Sequence, residues 1–143
     1  MKLSLELPPG ATWHALVADD DDDTRTLIAG ALRRAGFDVR ESCNGEELVD
    51  CFAALATGNG TKLESGHTIV VSDIGMPKCD GIEATIAVKK LVPGTPVLLV
   101  TAFNDSITLG DARDAGADQV MQKPLNLVVL VRAALELTAR AQG

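Results

Sequence analysis

The sequence contains no tyrosine, one tryptophan and three phenylalanines in 143 residues. Any core it builds must therefore be aliphatic, and the 46% hydrophobic content, mostly Leu, Val and Ala, is ample for a single domain of this length. Basic residues are outnumbered 13 to 20, which leaves a formal charge of −7. No basic cluster offsets that charge, so direct nucleic-acid binding is not expected. Cysteine is also scarce. Cys43, Cys51 and Cys79 form no CxxC pair and have no histidine at metal-ligand spacing, which excludes a thiolate metal site and reads as reduced thiols. Long apolar runs are missing too. Val97 to Thr101 is only strand length, and the first nine residues lack the apolar stretch of a signal peptide. A soluble, cytoplasmic protein without a membrane partner is expected.

What is present is a strict alternation of strand and helix patterns. Ala15 to Ala18 is a short apolar run that ends abruptly in acid. A helix should follow, capped by Asp23 or Thr24, with Leu27, Ile28, Ala31 and Leu32 on its inner face and Gly36 as its stop. Phe37-Asp38-Val39 opens a weaker strand, and Leu48, Cys51, Phe52 and Leu55 recur at helical spacing. Thr57 to Gly66 is rich in Gly, Ser and Asn and reads as a surface loop. The run Thr68 to Ser72 leads into Asp73, a turn, and a helix from Ile82 to Leu91. The strand Val97 to Thr101, a helix from Ser106 to Ala115, a brief strand from Gln119 to Gln122 and a last helix from about Asn126 to Ala139 complete the pattern. Five apolar strands separated by helices require a parallel sheet covered on both faces, a doubly wound (βα)5 arrangement.

In such sheets ligands bind beyond the carboxyl ends of the strands. Asp19 and Asp20 end the first strand, Asp73 ends the third, Thr101 ends the fourth and Lys123 ends the fifth. Carboxylates gathered at one edge repel one another unless a cation sits among them, and an all-oxygen donor set suits Mg²⁺. A carboxylate beside Mg²⁺ and an ammonium is arranged to attack a phosphoryl group, with the Thr101 hydroxyl able to donate to a phosphoryl oxygen.

Asp19-Asp20, Asp73 with Met76-Pro77 and Asp80-Gly81, Thr101-Ala102 and Lys123-Pro124 together resemble, in order and spacing, the response-regulator receiver domain of two-component signalling, of the chemotaxis-regulator type. The resemblance runs from about Trp13 to Arg140. It implies a flavodoxin-like five-stranded fold in residues 14–141 behind an N-terminal extension of residues 1–13. It further implies that Asp73 is the phosphoacceptor and that Asp20, Asp73 and the Gly75 backbone carbonyl hold Mg²⁺, with Asp19 acting on the metal mostly through water. Thr101 would be the switch hydroxyl, Lys123 the phosphoryl-contacting cation, and the Lys123-Pro124 peptide cis. The implied partners are a histidine kinase or phosphotransfer protein as donor and an unidentified output protein, in a monomer or weak homodimer. One departure stands out: the fifth-strand position that commonly carries Tyr or Phe is Val120.

Two other readings remain. An aspartyl phosphatase of the haloacid-dehalogenase type needs a DxD motif, and Asp73-Ile74-Gly75 lacks the second acid. An interaction scaffold that is never phosphorylated needs none of the acceptor residues. Asp21, Asp22 and Asp23 read as helix-start acids favoured by the dipole, and Asp80 as a cap. His14 and His67 have no evident partner, and Val128 and Val129 are surplus to the inner stripe of the last helix (Leu127, Leu130, Val131, Ala134). The chain ends at Gly143 without an output segment, so a single-domain regulator acting by protein contact is expected, not an enzyme that turns over a metabolite.

Overall fold

A computed structural model describes residues 6–7, 12–57, 67–103 and 105–142. The loop expected over 57–66 therefore falls largely outside the described residues. Five strands, β1 (His14–Ala18), β2 (Asp38–Ser42), β3 (Thr68–Asp73), β4 (Val97–Thr101) and β5 (Gln119–Gln122), form one parallel sheet in the order β2-β1-β3-β4-β5. Between them lie α1 (Asp22–Arg34), α2 (Gly45–Thr57), α3 (Gly81–Leu91) and α4 (Ser106–Asp114), and α5 (Leu127–Gln142) closes the chain. This is the doubly covered parallel sheet that the alternation predicts, in the flavodoxin-like (βα)5 order that the resemblance implies.

The period-two geometry of the strands divides the core into two layers. Ala15, Val17, Ile69, Val71, Leu98 and Val100 face α1 and α5, where Ile28, Leu32, Leu130 and Ala134 meet them. Leu16, Ala18, Val70, Val97 and Leu99 face the other way, against Leu48 and Phe52 of α2, Ala84 and Val88 of α3 and Ala112 of α4. The inner strands β3 and β4 are buried along their whole length, as expected of near-continuous apolar runs covered on both faces. All the exposed strand positions lie on the edge strands β2 and β5. Helix ends are set locally. Asp80 and Glu83 form a reciprocal capping box on α3, and Gly36 and Gly116, both at φ +105°, end the turns after α1 and α4.

Three local expectations are corrected. The cap of α1 is Asp21, not Asp23 or Thr24, because the Asp21 carboxylate accepts both the backbone N–H and the hydroxyl of Thr24. Leu27 is not on the inner face. It is 60% exposed, because the buried stripe of α1 runs through Ile28, Ala29, Ala31 and Leu32. His14 and His67 do have neighbours: His14 Nδ1 lies 3.3 Å from Asp38 across the β1–β2 register, and the His67 ring meets Trp13 edge-on at 5.3 Å. Val128, 68% exposed, and Val129 stand clear of the core as the pattern suggests. Val128 borders an open groove of about 360 Å³ between α1 and α5.

Candidate functional site

The parallel register brings the carboxyl ends of β1, β3, β4 and β5 to one edge, and the polar residues come with them. Asp19, Asp20 and Asp73 each place a carboxylate oxygen within 4.8 Å of the others. Asp19 and Asp73 are buried and Asp20 is exposed, so the cluster opens to solvent on one side. The Lys123 ammonium lies 3.2 Å from Asp19 and 3.5 Å from Asp73. Three carboxylates against one ammonium leave two negative charges uncompensated when all are ionised. An all-oxygen set with that excess fits a hard divalent cation.

The electrostatics follow from this crowding. Burial first, and the Asp19 charge second, hold the Asp73 carboxyl above the ordinary carboxylate range, and Lys123 offsets only part of that. Burial works against the charge on Lys123, but the Asp73 and Asp19 carboxylates outweigh it and hold the ammonium above the ordinary lysine value.

Neighbouring groups fix the cluster. The Asp21 N–H donates to Asp19 Oδ1 at 2.9 Å, and Arg25 Nη1 donates to the Asp19 carbonyl at 2.8 Å. Arg25 is itself held by Asp22 and Glu41. The Ser72 hydroxyl donates to the Asp73 carbonyl, and the Ile74 N–H to the Val100 carbonyl, so the turn after β3 stays tied to β4. Gly81 packs directly beneath it, and an added Cβ would stand 2.3 Å from the Asp73 carbonyl oxygen. Thr101 is fully buried at the end of β4. Its carbonyl accepts the Lys123 N–H at 2.8 Å, and its hydroxyl accepts the Phe103 N–H at 2.9 Å. Gly75 is exposed on the turn after Asp73, beside the Phe103 ring. The Lys123-Pro124 peptide is cis. Val120 on β5 is partly buried against the α2–α3 layer.

The structure thus gathers Asp19, Asp20, Asp73 and Lys123 into one cluster and sets Thr101 and Gly75 on adjoining loops and strand ends. The sequence reading overlooked Arg25 and Phe103. Arg25 follows Asp19 by six residues, a spacing with no motif behind it, and Phe103 reads as an ordinary loop residue.

A doubly wound α/β domain with an acidic cluster and a lysine at the carboxyl edge of its sheet is a receiver-type signalling domain in form. A profile of the response regulator receiver domain family matches residues 15–135. Among characterised relatives, the DNA-binding transcriptional regulator NtrC of Rhizobium meliloti is 37% identical over 122 residues, which span 85% of this chain and 23% of that protein. The CpxR homolog of Haemophilus influenzae is 32% identical over 87% of this chain and 51% of its own length. A cyclic di-GMP phosphodiesterase of Thermotoga maritima is 32% identical over 80% of this chain and 28% of its own length. The chain therefore spans between about a quarter and a half of these relatives. Among solved structures, a CheY-like receiver domain protein from Methanospirillum hungatei superposes with a TM-score of 0.79 over 92% of this chain and 98% of its own, at 22% identity. The BeF3-activated DrrB receiver domain superposes at 0.75, with 25% identity over 91% of this chain and all of its own. The chain belongs to the response regulator receiver domain family, the phosphorylatable modules of two-component systems.

Proposed function

We propose that Asp73 accepts a phosphoryl group from the phosphohistidine of a histidine kinase or phosphotransfer protein, in a Mg²⁺-dependent reaction, and that the modified chain switches its protein contacts. The observation that carries this reading is the buried Asp73 carboxylate set among Asp19, Asp20 and the Lys123 ammonium. One Asp73 oxygen attacks phosphorus, the P–N bond to the donor imidazole breaks, and the imidazole leaves with the electron pair. Lys123 is placed to balance charge on the phosphoryl oxygens, and the Thr101 hydroxyl to donate to one of them. Asp20, Asp73 and the Gly75 carbonyl would hold Mg²⁺, with Asp19 reaching it through water. The ion would neutralise the remaining charge of the incoming group. Hydrolysis of the acyl phosphate by water returns the chain to its starting state. The chemistry is self-directed and turns over no external metabolite.

The receiver unit is assigned to residues 14–141 and the preceding residues 1–13 to an extension. A cytoplasmic setting and a monomer or weak homodimer go with this reading. Among the described residues no helix is long and apolar enough to cross a membrane.

Intact mass after incubation with acetyl phosphate tests the proposal. A single phosphoryl adduct that requires Mg²⁺ and is absent from Asp73→Asn is expected. An adduct indifferent to Mg²⁺ or to that substitution would overturn it. No adduct, beside a control receiver that is phosphorylated normally, would leave an interaction scaffold as the better reading.

A further inference from the structure

A groove of about 360 Å³ runs along the seam between α1 and α5. Its floor is apolar and hollow, because Ala31 and the capping residue Ala35, one helical turn apart, are too small to fill the space opposite Val131 and Leu135. At the other end the Val128 side chain is 68% exposed. An apolar floor open on this scale marks a surface that something covers. Leu7 shows where a cover enters. It packs on the core layer that faces α1 and α5, and its Cδ1 lies 3.4 Å from where a Cβ on Gly36 would be, one residue beyond Ala35.

We propose that residues 3–6, running back from Leu7, lie along this groove as an extended segment, with Leu3 and Leu5 as its apolar occupants. The sequence Lys2-Leu3-Ser4-Leu5-Glu6-Leu7-Pro8 alternates polar and apolar residues up to the proline. A period of two gathers the three leucines on one face of an extended chain and turns Lys2, Ser4 and Glu6 outward, whereas a helix would turn Leu5 away from Leu3 and Leu7. Pro8 also disfavours helical backbone at Leu7. The reach matches the groove. Four extended residues from Leu7 back to Leu3 cover about 13 Å. Seven helical residues from Leu135 back to Val128 cover about 10 Å. Leu3 therefore comes level with Val128, and Leu5 lies between the two alanines and Val131.

Arg34 and Arg132, both exposed, border the groove from α1 and α5. An extended segment laid on two helices has no strand beside it, so its carbonyls need other donors, and a guanidinium carries five N–H groups. The two arginines supply such donors from either side. The segment is then an intramolecular competitor for this face: a partner that docks on α1 and α5 must first displace Leu3 and Leu5. Tethering through Leu7 keeps their local concentration at the groove high, so only a tighter-binding partner removes them. This inference does not depend on phosphorylation of Asp73.

Methyl nuclear magnetic resonance on the full chain, with isotope-labelled Leu and Val methyls, tests this. Nuclear Overhauser contacts are expected from the Leu3 and Leu5 methyls to those of Val128 and Val131, and they should persist on dilution. A sample mixing labelled and unlabelled chains should show no such contacts between molecules. In the double variant Leu3→Asn with Leu5→Asn, the Val128 and Val131 methyl shifts should move. Emission of added anilinonaphthalene sulfonate, a dye that reports exposed apolar surface, should rise several-fold while helix content by circular dichroism stays unchanged. Ser4→Asn, on the outward face, should change neither. Contacts only between molecules would assign the groove to a second copy and overturn the inference. So would an absence of contacts, or a double variant whose methyl shifts and dye emission match wild type.

Discussion

Lys123 and Asp19 stand 104 residues apart in the chain and are joined by a hydrogen bond of 3.2 Å. The same ammonium lies 3.5 Å from Asp73, so one cation serves two buried carboxylates. Removing it leaves both without their nearest counter-charge. Lys123→Met is expected to lower stability at pH 7 by about 1–3 kcal/mol, the range for an uncompensated and partly buried charge. Added Mg²⁺ should restore part of that loss. The rate of adduct formation with acetyl phosphate should fall at least about tenfold, or about 1.4 kcal/mol of barrier. Urea unfolding with and without Mg²⁺, together with timed mass spectra, measures both effects.

Asp73 gives a pH dependence with a definite sign. Its carboxyl is raised above the ordinary value of 3.8 by burial and then by Asp19. Below that ordinary value the group is protonated in folded and unfolded chains alike, and its contribution to stability is fully present. As pH rises through the raised value, the folded chain must ionise Asp73 among other acids, and stability is lost. Metal-free Asp73→Asn should therefore be more stable than wild type at pH 7, on the order of 1 kcal/mol or about 2–4 °C in Tm. The gap should close as pH falls toward 4. Thermal melts at a series of pH values in chelator decide this, and a gap independent of pH would contradict it.

Asp20 separates metal binding from stability, because it is the exposed member of the cluster. Asp20→Asn should leave the metal-free Tm close to that of wild type. The Mg²⁺ concentration needed for half-maximal stabilisation should rise at least about tenfold, or about 1.4 kcal/mol. A calorimetric Mg²⁺ titration checks the affinity directly.

Two glycines should respond oppositely to the same substitution. A Cβ at Gly81 would meet the Asp73 carbonyl oxygen at 2.3 Å and the Ile74 Cα at 2.9 Å, both backbone atoms that cannot step aside. Gly81→Ala should cost about 2 kcal/mol or more and shift the turn that carries Asp73. A Cβ at Gly110 meets nothing within 4 Å. Gly110→Ala should stabilise the chain by about 0.5–1 kcal/mol through helix propensity. Denaturant midpoints for the pair provide the measurement.

Much of the molecule was legible before the structure. Near-continuous apolar runs such as Ile69–Val71 and Leu98–Val100 signal strands buried on both faces, and their spacing by helical patterns signals a parallel sheet. The acids after two strands, with Lys123 after another, then fall at one edge as a consequence of parallel pairing. Other features were not legible. Four consecutive acids after Asp19 offer several candidate caps for α1, and only the observed chain path selects Asp21. Helical spacing places Leu27 near Ile28 and Ala31, but whether a residue at the margin of the stripe is covered depends on how far the neighbouring helix reaches. His14 finds Asp38 only through strand register.

Strand and helix periodicities are local, so residue order is enough to set the succession of elements, the two apolar layers and the residue types delivered to the carboxyl edge. Which of those groups touch depends on the folded chain. Electrostatic and hydrogen-bond energies change over a few ångströms, and the separations that matter here are set by the register of strands distant in the chain. So Lys123 reaches both Asp19 and Asp73, Arg25 holds the carbonyl of Asp19, and Phe103 sits between Thr101 and Gly75.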